Sequence, residues 1–252
     1  MRRPKIAVTG SYDRSNDQYY LNRSYMDSIR KAGGTPIVVN PPIEPPAAWT
    51  GELKDLYAAA APEEGLLDGI DGLLLTGGGD VSPRFYNSLT QVCCGEGTPM
   101  RDAFEVQLAQ WAVAQNIPCL GICRGIQVMA VSLGVPLFQD INGQANNTAH
   151  QQPAATWYPT HEVEVRQDGH LKACLGEKAW VNSHHHQAIM TGLESYPFDI
   201  TAVSPDGYIE GIEKPELKFF VGVQWHPERM VTSVDMQALF KRFVQASAGA
   251  LN

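Results

Sequence analysis

The 252-residue chain reads as an α/β protein: a parallel central sheet flanked by helices, with a small added antiparallel β portion. Three observations predict this. Short β-type runs alternate with helical patterns, as βαβ units require. The runs at 72–76 and 117–122 are largely apolar, as strands covered on both faces are. Between residue 136 and about residue 216 the pattern changes to short β-like pieces, which suits an antiparallel extension before a closing helix.

The elements follow in order. Residues 5–9 form the first strand, and 19–32 have helical spacing ending at Gly33-Gly34, a good C-terminal stop. Residues 36–39 read as a strand, 40–46 as a Pro-rich loop, and 47–67 as helical pieces broken at Pro62. The strand at 72–76 ends in the sharp turn Gly77-Gly78-Gly79-Asp80. Residues 84–99 are polar and predict a surface excursion. Residues 102–115 form an amphipathic helix with Phe104, Leu108, Trp111 and Ala112 on one face. After the strand at 117–122 and its helix at 126–133, β-like pieces fall at 161–165, 179–182, 199–203 and 208–212. A buried strand at 219–224 and a helix at 231–246 complete the chain. No repeat or strong linker divides it, so 1–252 is expected to be a single domain.

Composition narrows the function. A net charge of −8 with no basic cluster excludes sequence-independent nucleic-acid binding. No apolar run approaches the roughly 20 residues that cross a bilayer. Pro4 follows Arg2-Arg3 at once, leaving no secretory apolar segment. The five cysteines are an odd number without framework spacing, so a reducing cytoplasmic setting with one reactive thiol is expected. The adjacent Cys93 and Cys94 offer a metal or redox pair, but two loop thiols are the favoured reading.

Gly121-Ile122-Cys123-Arg124-Gly125 lies between a buried strand and a helix. A nucleophile framed by small residues at such a junction is a nucleophile-elbow signature. The helix that follows directs its first amides at the sulfur, which favours negative charge there and on a developing oxyanion. Cys123 is therefore the candidate nucleophile, attacking a carbonyl to give a thioester. Gln224-Trp225-His226-Pro227-Glu228 supplies the other partners: His226 as general base and acid, Glu228 to orient the imidazole. In an extended segment the two side chains fall on one side, with Pro227 fixing the chain between them. The backbone of Gly78 and Gly79, with the amide of Arg124, makes the expected oxyanion hole. A phosphate loop is a poor alternative, because the Gly-Lys-Ser/Thr ending is missing and Val81-Ser82-Pro83 does not open a helix. Three strand ends thus converge on one sheet edge, where ligands bind in such folds.

His184-His185-His186 invites a metal, with His150 and His161 as further candidates of unspecific spacing. On a strand His184 and His186 would share a face while His185 points away. Substrate recognition is favoured over metal here, because Asn182, Ser183, the histidines and Gln187 form a dense group of donors and acceptors.

These residues resemble the class I glutamine amidotransferase fold, which is flavodoxin-like. Arg101-Asp102-Ala103-Phe104-Glu105, residues 137–141, residues 181–187 and Ser204-Pro205-Asp206-Gly207 resemble more narrowly its gamma-glutamyl hydrolase branch, peptidase family C26. Within it the match is best to the gamma-glutamyl-gamma-aminobutyrate hydrolases of putrescine catabolism. The resemblance spans nearly the whole chain. It implies a Cys123–His226–Glu228 triad and hydrolysis of a gamma-glutamyl amide without metal or organic cofactor. It also places Gln127 and the segment from Ser183 to His185, beside Asn182, around the glutamyl head group. His184 and the Cys93-Cys94 excursion depart from the pattern, which leaves the leaving amine open. The expected partner is a small gamma-glutamyl substrate, with neither nucleic acid nor membrane; a homodimer is the candidate assembly. The alternatives are a glutaminase subunit that feeds ammonia to a synthase, and a non-catalytic thiol-sensing module.

Overall fold

A computed structural model describes residues 2–142 and 148–251. In chain order the elements are β1 (Lys5–Thr9), β2 (Ser11–Asp13), β3 (Gln18–Tyr20), α1 (Arg23–Lys31), β4 (Thr35–Val39), α2 (Leu53–Ala59), β5 (Gly72–Leu75), α3 (Pro99–Ala114), β6 (Cys119–Ile122) and α4 (Arg124–Ser132). They continue with β7 (Leu137–Phe138), β8 (His161–Val165), α5 (His170–Leu175), β9 (Lys178–Val181), β10 (Ala188–Ile189), β11 (Asp199–Val203), β12 (Ile209–Glu213), β13 (Phe220–Val223) and α6 (Val234–Ser247).

One nine-stranded sheet runs β4-β1-β5-β6-β13-β12-β11-β8-β9. The pairs from β4 to β13 are parallel, and those from β13 to β9 antiparallel. This is the parallel central sheet expected, with an antiparallel extension larger than the small one expected. Two apolar layers fill the faces of the sheet. One joins Leu73, Leu75, Phe104, Leu108, Ile126 and Met129 under α3 and α4; the other joins Ile6, Ile29, Leu120, Val221, Phe240 and Phe243 under α1 and α6. Each fully buried large apolar side chain contributes about 1.5–3 kcal/mol of transfer free energy.

Some boundaries differ from the sequence reading. The helix expected over 19–32 begins only at Arg23, where Asn22 caps it by accepting from the Ser24 N–H; Gln18–Tyr20 instead pair with Ser11–Asp13. Of the helical pieces expected over 47–67, only Leu53–Ala59 forms an α-helix. Val81-Ser82-Pro83 does lead into a single 3-10 turn, Pro83–Tyr86, and this buries Phe85 and Tyr86 in what was expected to be a surface excursion.

The order of the sheet positions the site. β5, β6 and β13 are neighbours, with Leu75 opposite Gly121 and Gly222 opposite Gly121. Their carboxyl ends therefore deliver Gly77, Cys123 and His226 side by side.

Candidate active site

Cys123 adopts φ 54° and ψ −105° between β6 and α4. This is a left-handed backbone for a residue with a Cβ, of the kind stored at functional sites at a cost of about 1–3 kcal/mol. The flanking glycines make the turn possible. A Cβ on Gly121 would lie 2.7 Å from the Gly125 carbonyl carbon, and one on Gly125 would lie 2.2 Å from the Leu75 oxygen. The Cys123 N–H is fixed to the Val223 carbonyl at 2.8 Å, and the side chain is 5% exposed. Arg124 opens α4, where the first amides have no intrahelical acceptor.

Gly77 is the point of closest convergence. A Cβ there would meet Tyr25 Oη at 2.9 Å, His226 Cε1 at 3.0 Å and Cys123 Cβ at 3.6 Å. Its N–H donates to Tyr25 Oη at 3.0 Å. Gly78 lies against the Arg101 and Arg124 side chains, and Gly79 faces the Glu96 carbonyl.

His226 Nδ1 lies 2.7 Å from Glu228 Oε1, and Glu228 is completely buried. The segment is not extended as expected: Pro227–Arg229 form a 3-10 turn that still brings the two side chains together. Burial opposes charge on the His226 ring, but Glu228 and Cys123 beside it outweigh burial and raise its pKa well above the ordinary value. Asn182 frames this histidine, accepting from the His226 N–H at 2.8 Å and donating to the His226 carbonyl at 3.0 Å.

Beneath the glycine turn lies a buried group of four charges. Arg101 Nε donates to Glu105 at 2.8 Å, and its Nη2 donates to Thr76 Oγ1 and the Gly77 carbonyl, each at 3.0 Å. Arg124 donates to Asp102 at 2.5 Å and also to Glu105, while Asp102 accepts from the Ser82 N–H at 3.1 Å. This brace ties α3, the glycine turn and the elbow together.

The residues expected around a substrate head group lie below or beside Cys123. Gln127 is buried and donates to the Gln187 carbonyl at 3.0 Å and to Gln224 Oε1 at 3.2 Å. The Ser183 N–H donates to Gln152 Oε1 at 2.6 Å. The three histidines do not alternate as on a strand. His184 places its carbonyl 3.9 Å from Cys123 Sγ and its ring edge-on to His226; His185 turns inward to Glu210; His186 Nε2 meets Asp80 Oδ1 at 2.8 Å. Burial and the positive charges of His226 and Arg229 lower the His184 pKa.

A cavity of about 240 Å³ opens beside Gly77, Gly78 and His226, with Ser11, Asn22, Tyr25 and Arg229 in its wall. Tyr25 and Arg229 escaped the sequence reading; Arg229 adjoins the His-Pro-Glu motif and was within its reach. Cys93 and Cys94 carry no disulfide; burial and Asp80 push the Cys94 thiol up to about 11.

The Peptidase C26 family model matches residues 4–228. The chain belongs to the peptidase C26 family. Protein NtpR of Enterococcus hirae is 36% identical over 95% of this chain and 94% of its own length. Gamma-glutamyl-gamma-aminobutyrate hydrolase PuuD of Escherichia coli is 31% identical over 90% of this chain and 85% of its own. The glutaminase domain of Trypanosoma brucei CTPS superposes with a TM-score of 0.61 at 18% identity, covering 98% of this chain and 94% of its own. That likeness carries the fold alone. The C26 relatives support an enzyme of the hydrolase type. Among the described residues, no helix of this C26 protein is long and apolar enough to cross a membrane.

Proposed function

We propose that this C26 protein hydrolyses a gamma-glutamyl amide through a thioester on Cys123. The observation that carries the reading is the meeting of three strand ends: Cys123 at a strained elbow, His226 held 2.7 Å from the buried Glu228, and bare Gly77 between them. The Cys123 thiol gives its proton to His226 as its sulfur attacks the side-chain carbonyl carbon of the gamma-glutamyl group, and the carbonyl electrons move onto oxygen. Amides of Gly78, Gly79 and Arg124 stabilise that oxyanion. The His226 imidazolium gives its proton to the departing amine as the C–N bond breaks. Neutral His226 then takes a proton from water, which attacks the thioester and releases glutamate. Glu228 holds the ring in position and stabilises its charged form.

On this reading part of the substrate extends from Cys123 into the adjoining cavity beside Gly77 and His226, where Arg229, itself 3.4 Å from Glu228, offers a cation to a substrate carboxylate. The relative named for gamma-glutamyl-gamma-aminobutyrate supports this substrate class. Gln127, Asn182, Ser183 and His185 act on this reading as the frame beneath the substrate.

Glutamate release from gamma-glutamyl-aminobutyrate, gamma-glutamyl-putrescine, a short poly-gamma-glutamate and glutamine tests it, with Cys123→Ala alongside. Cleavage of a gamma-glutamyl amide by the isolated chain, abolished in Cys123→Ala, is expected. Wild-type rates in that variant would end the mechanism. Release only from glutamine, and only when a synthase is added, would favour an ammonia-delivering glutaminase.

A further inference from the structure

The reaction proposed above leaves a second group of titratable side chains unused. His185 turns away from Cys123 into the core, where it meets His150 and Glu210. The three are 5%, 1% and 0% exposed. Each can present one ligand atom such that all three atoms lie within 4.8 Å of one another.

The protons in this group can be assigned from the partners. His185 Nδ1 is 2.9 Å from the Gln187 carbonyl, which only accepts, so Nδ1 carries the hydrogen. The Nε2 of the neutral ring therefore presents a lone pair, and it faces Glu210 Oε1 at 3.5 Å. His150 Nε2 is 3.2 Å from both oxygens of Asp206, so the hydrogen sits there and Nδ1 presents its lone pair. That lone pair faces the same Glu210 oxygen at 3.4 Å. Two imidazole lone pairs and a carboxylate thus converge in the buried interior. Glu210 Oε1, Glu210 Oε2 and His185 Nε2 have no hydrogen-bond partner among the described residues.

Protonating both rings does not account for the distances. A charge-assisted N–H···O bond closes to about 2.7–2.9 Å, and these contacts stay open at 3.4 and 3.5 Å. They lie within about 0.2 Å of the ligand-to-ligand edge of a tetrahedral ion with bonds near 2.0–2.1 Å, which is roughly 3.3–3.4 Å. The outer contacts also fit. A metal-bound histidine donates its other ring N–H to a carboxylate or backbone carbonyl, as His150 meets Asp206 and His185 meets Gln187.

We propose that His150 Nδ1, His185 Nε2 and Glu210 Oε1 form a buried divalent-metal site of the zinc class, in contrast to the expectation that these histidines bind no metal. Two imidazoles and one carboxylate suit zinc and similar first-row ions. Ser183 Oγ, 3.4 Å from His150 Nδ1, lies beside the remaining position. The ion ties β12 to the 183–187 segment, and so holds the His184 carbonyl against Cys123. The proposal does not rest on the gamma-glutamyl reading.

Chelator-treated, untagged protein is titrated with Co²⁺ and followed by its visible ligand-field bands. Zinc is then counted by elemental analysis after gel filtration. Bands saturating at one equivalent per chain and bleached by Zn²⁺ are expected, unchanged in a Cys123→Ala background. Glu210→Gln abolishes them, and Asp206→Asn, which keeps all three ligands, weakens zinc about 10–100-fold. If Glu210→Gln does not fold, Asp206→Asn and the wild-type spectrum decide. The absence of stoichiometric metal and of cobalt bands, or binding indifferent to both substitutions, would overturn the site and leave a cluster held by protons alone.

Discussion

Two buried charge clusters flank the Cys123 elbow, and they are built in opposite ways. In the brace, Arg101, Asp102, Glu105 and Arg124 meet at hydrogen-bond distance and also bind the backbone of Gly77 and Ser82, with Arg124 Nε left without a partner among the described residues. In the cage around Glu210, three histidines stand 3.4–3.6 Å from a single oxygen, and both nitrogens of His161 lack partners among the described residues. The contrast separates a structural joint with one open donor from a cage with five unpartnered atoms among the described residues. Burying opposed charges gains little net stability over apolar packing, but removing one partner is costly, because the other charge stays buried alone. The His226–Glu228 pair stands between the two types: its contact is short, yet Glu228 Oε2 has no hydrogen-bond partner among the described residues.

The brace is the place to break first. Arg124→Leu leaves Asp102 with only the Ser82 N–H and is expected to cost about 3–5 kcal/mol in urea unfolding. Adding Asp102→Leu to it recovers part of that loss, since the stranded charge is gone. A single-variant cost under about 1 kcal/mol would show that the brace behaves like a surface ion pair.

The catalytic pair responds in activity more than in stability. Glu228→Gln is expected to lower kcat about 10²–10⁴-fold with the fold intact. The sign of the pH effect follows from the raised His226 pKa. A raised value means the pair's stabilisation is complete below the unfolded value near 6.5 and is lost as pH rises through the folded one. Removing Glu228 lowers the folded value, so the alkaline limb of kcat/KM moves to lower pH. An unmoved limb would mean that another group sets it.

Asn182 sharpens the line between framing and binding. Both of its polar atoms engage His226 and the Thr156 carbonyl. Asn182→Ala is expected to lower kcat about 10–100-fold while KM changes by less than about 3-fold. A rise in KM with kcat kept would instead restore the sequence reading of Asn182 as a substrate contact.

How far the sequence reached follows from what each residue is constrained by. The elbow was legible because only glycines fit at 121 and 125, where a Cβ would strike backbone. The sheet edge was legible because β5, β6 and β13 are short apolar runs, each followed by a distinctive motif. Segment 182–187 misled because side-chain chemistry does not give direction. Outside a regular strand, His184, His185 and His186 face Cys123, Glu210 and Asp80 in turn. Glu210 left a signal that went unread: a carboxylate between Ile209 and Gly211 in the strand Ile209–Glu213, every residue of which is buried. Of the helical pieces expected over 47–67 only one formed, since Pro-rich and polar stretches leave only Leu53–Ala59 with enough continuous helix formers.

The smallest effect lies outside both clusters and calibrates them. His170 caps no charge network; its Nδ1 accepts from Arg242 Nε at 2.9 Å and its ring tilts against Phe219. Burial, and then the Arg242 charge, push its pKa down to about 4. For a base with a depressed folded value, the unfolded chain takes up its proton first. Stability is therefore full above about pH 6.5 and falls as pH drops toward 4. The ring is partly exposed, so screening limits the loss to roughly 1 kcal/mol. His170→Gln keeps an acceptor for Arg242 but cannot titrate, and its melting temperature should decline less between pH 6.5 and 4 than that of the wild type. Parallel declines would assign the acid sensitivity to the buried carboxylates of the brace and the cage instead.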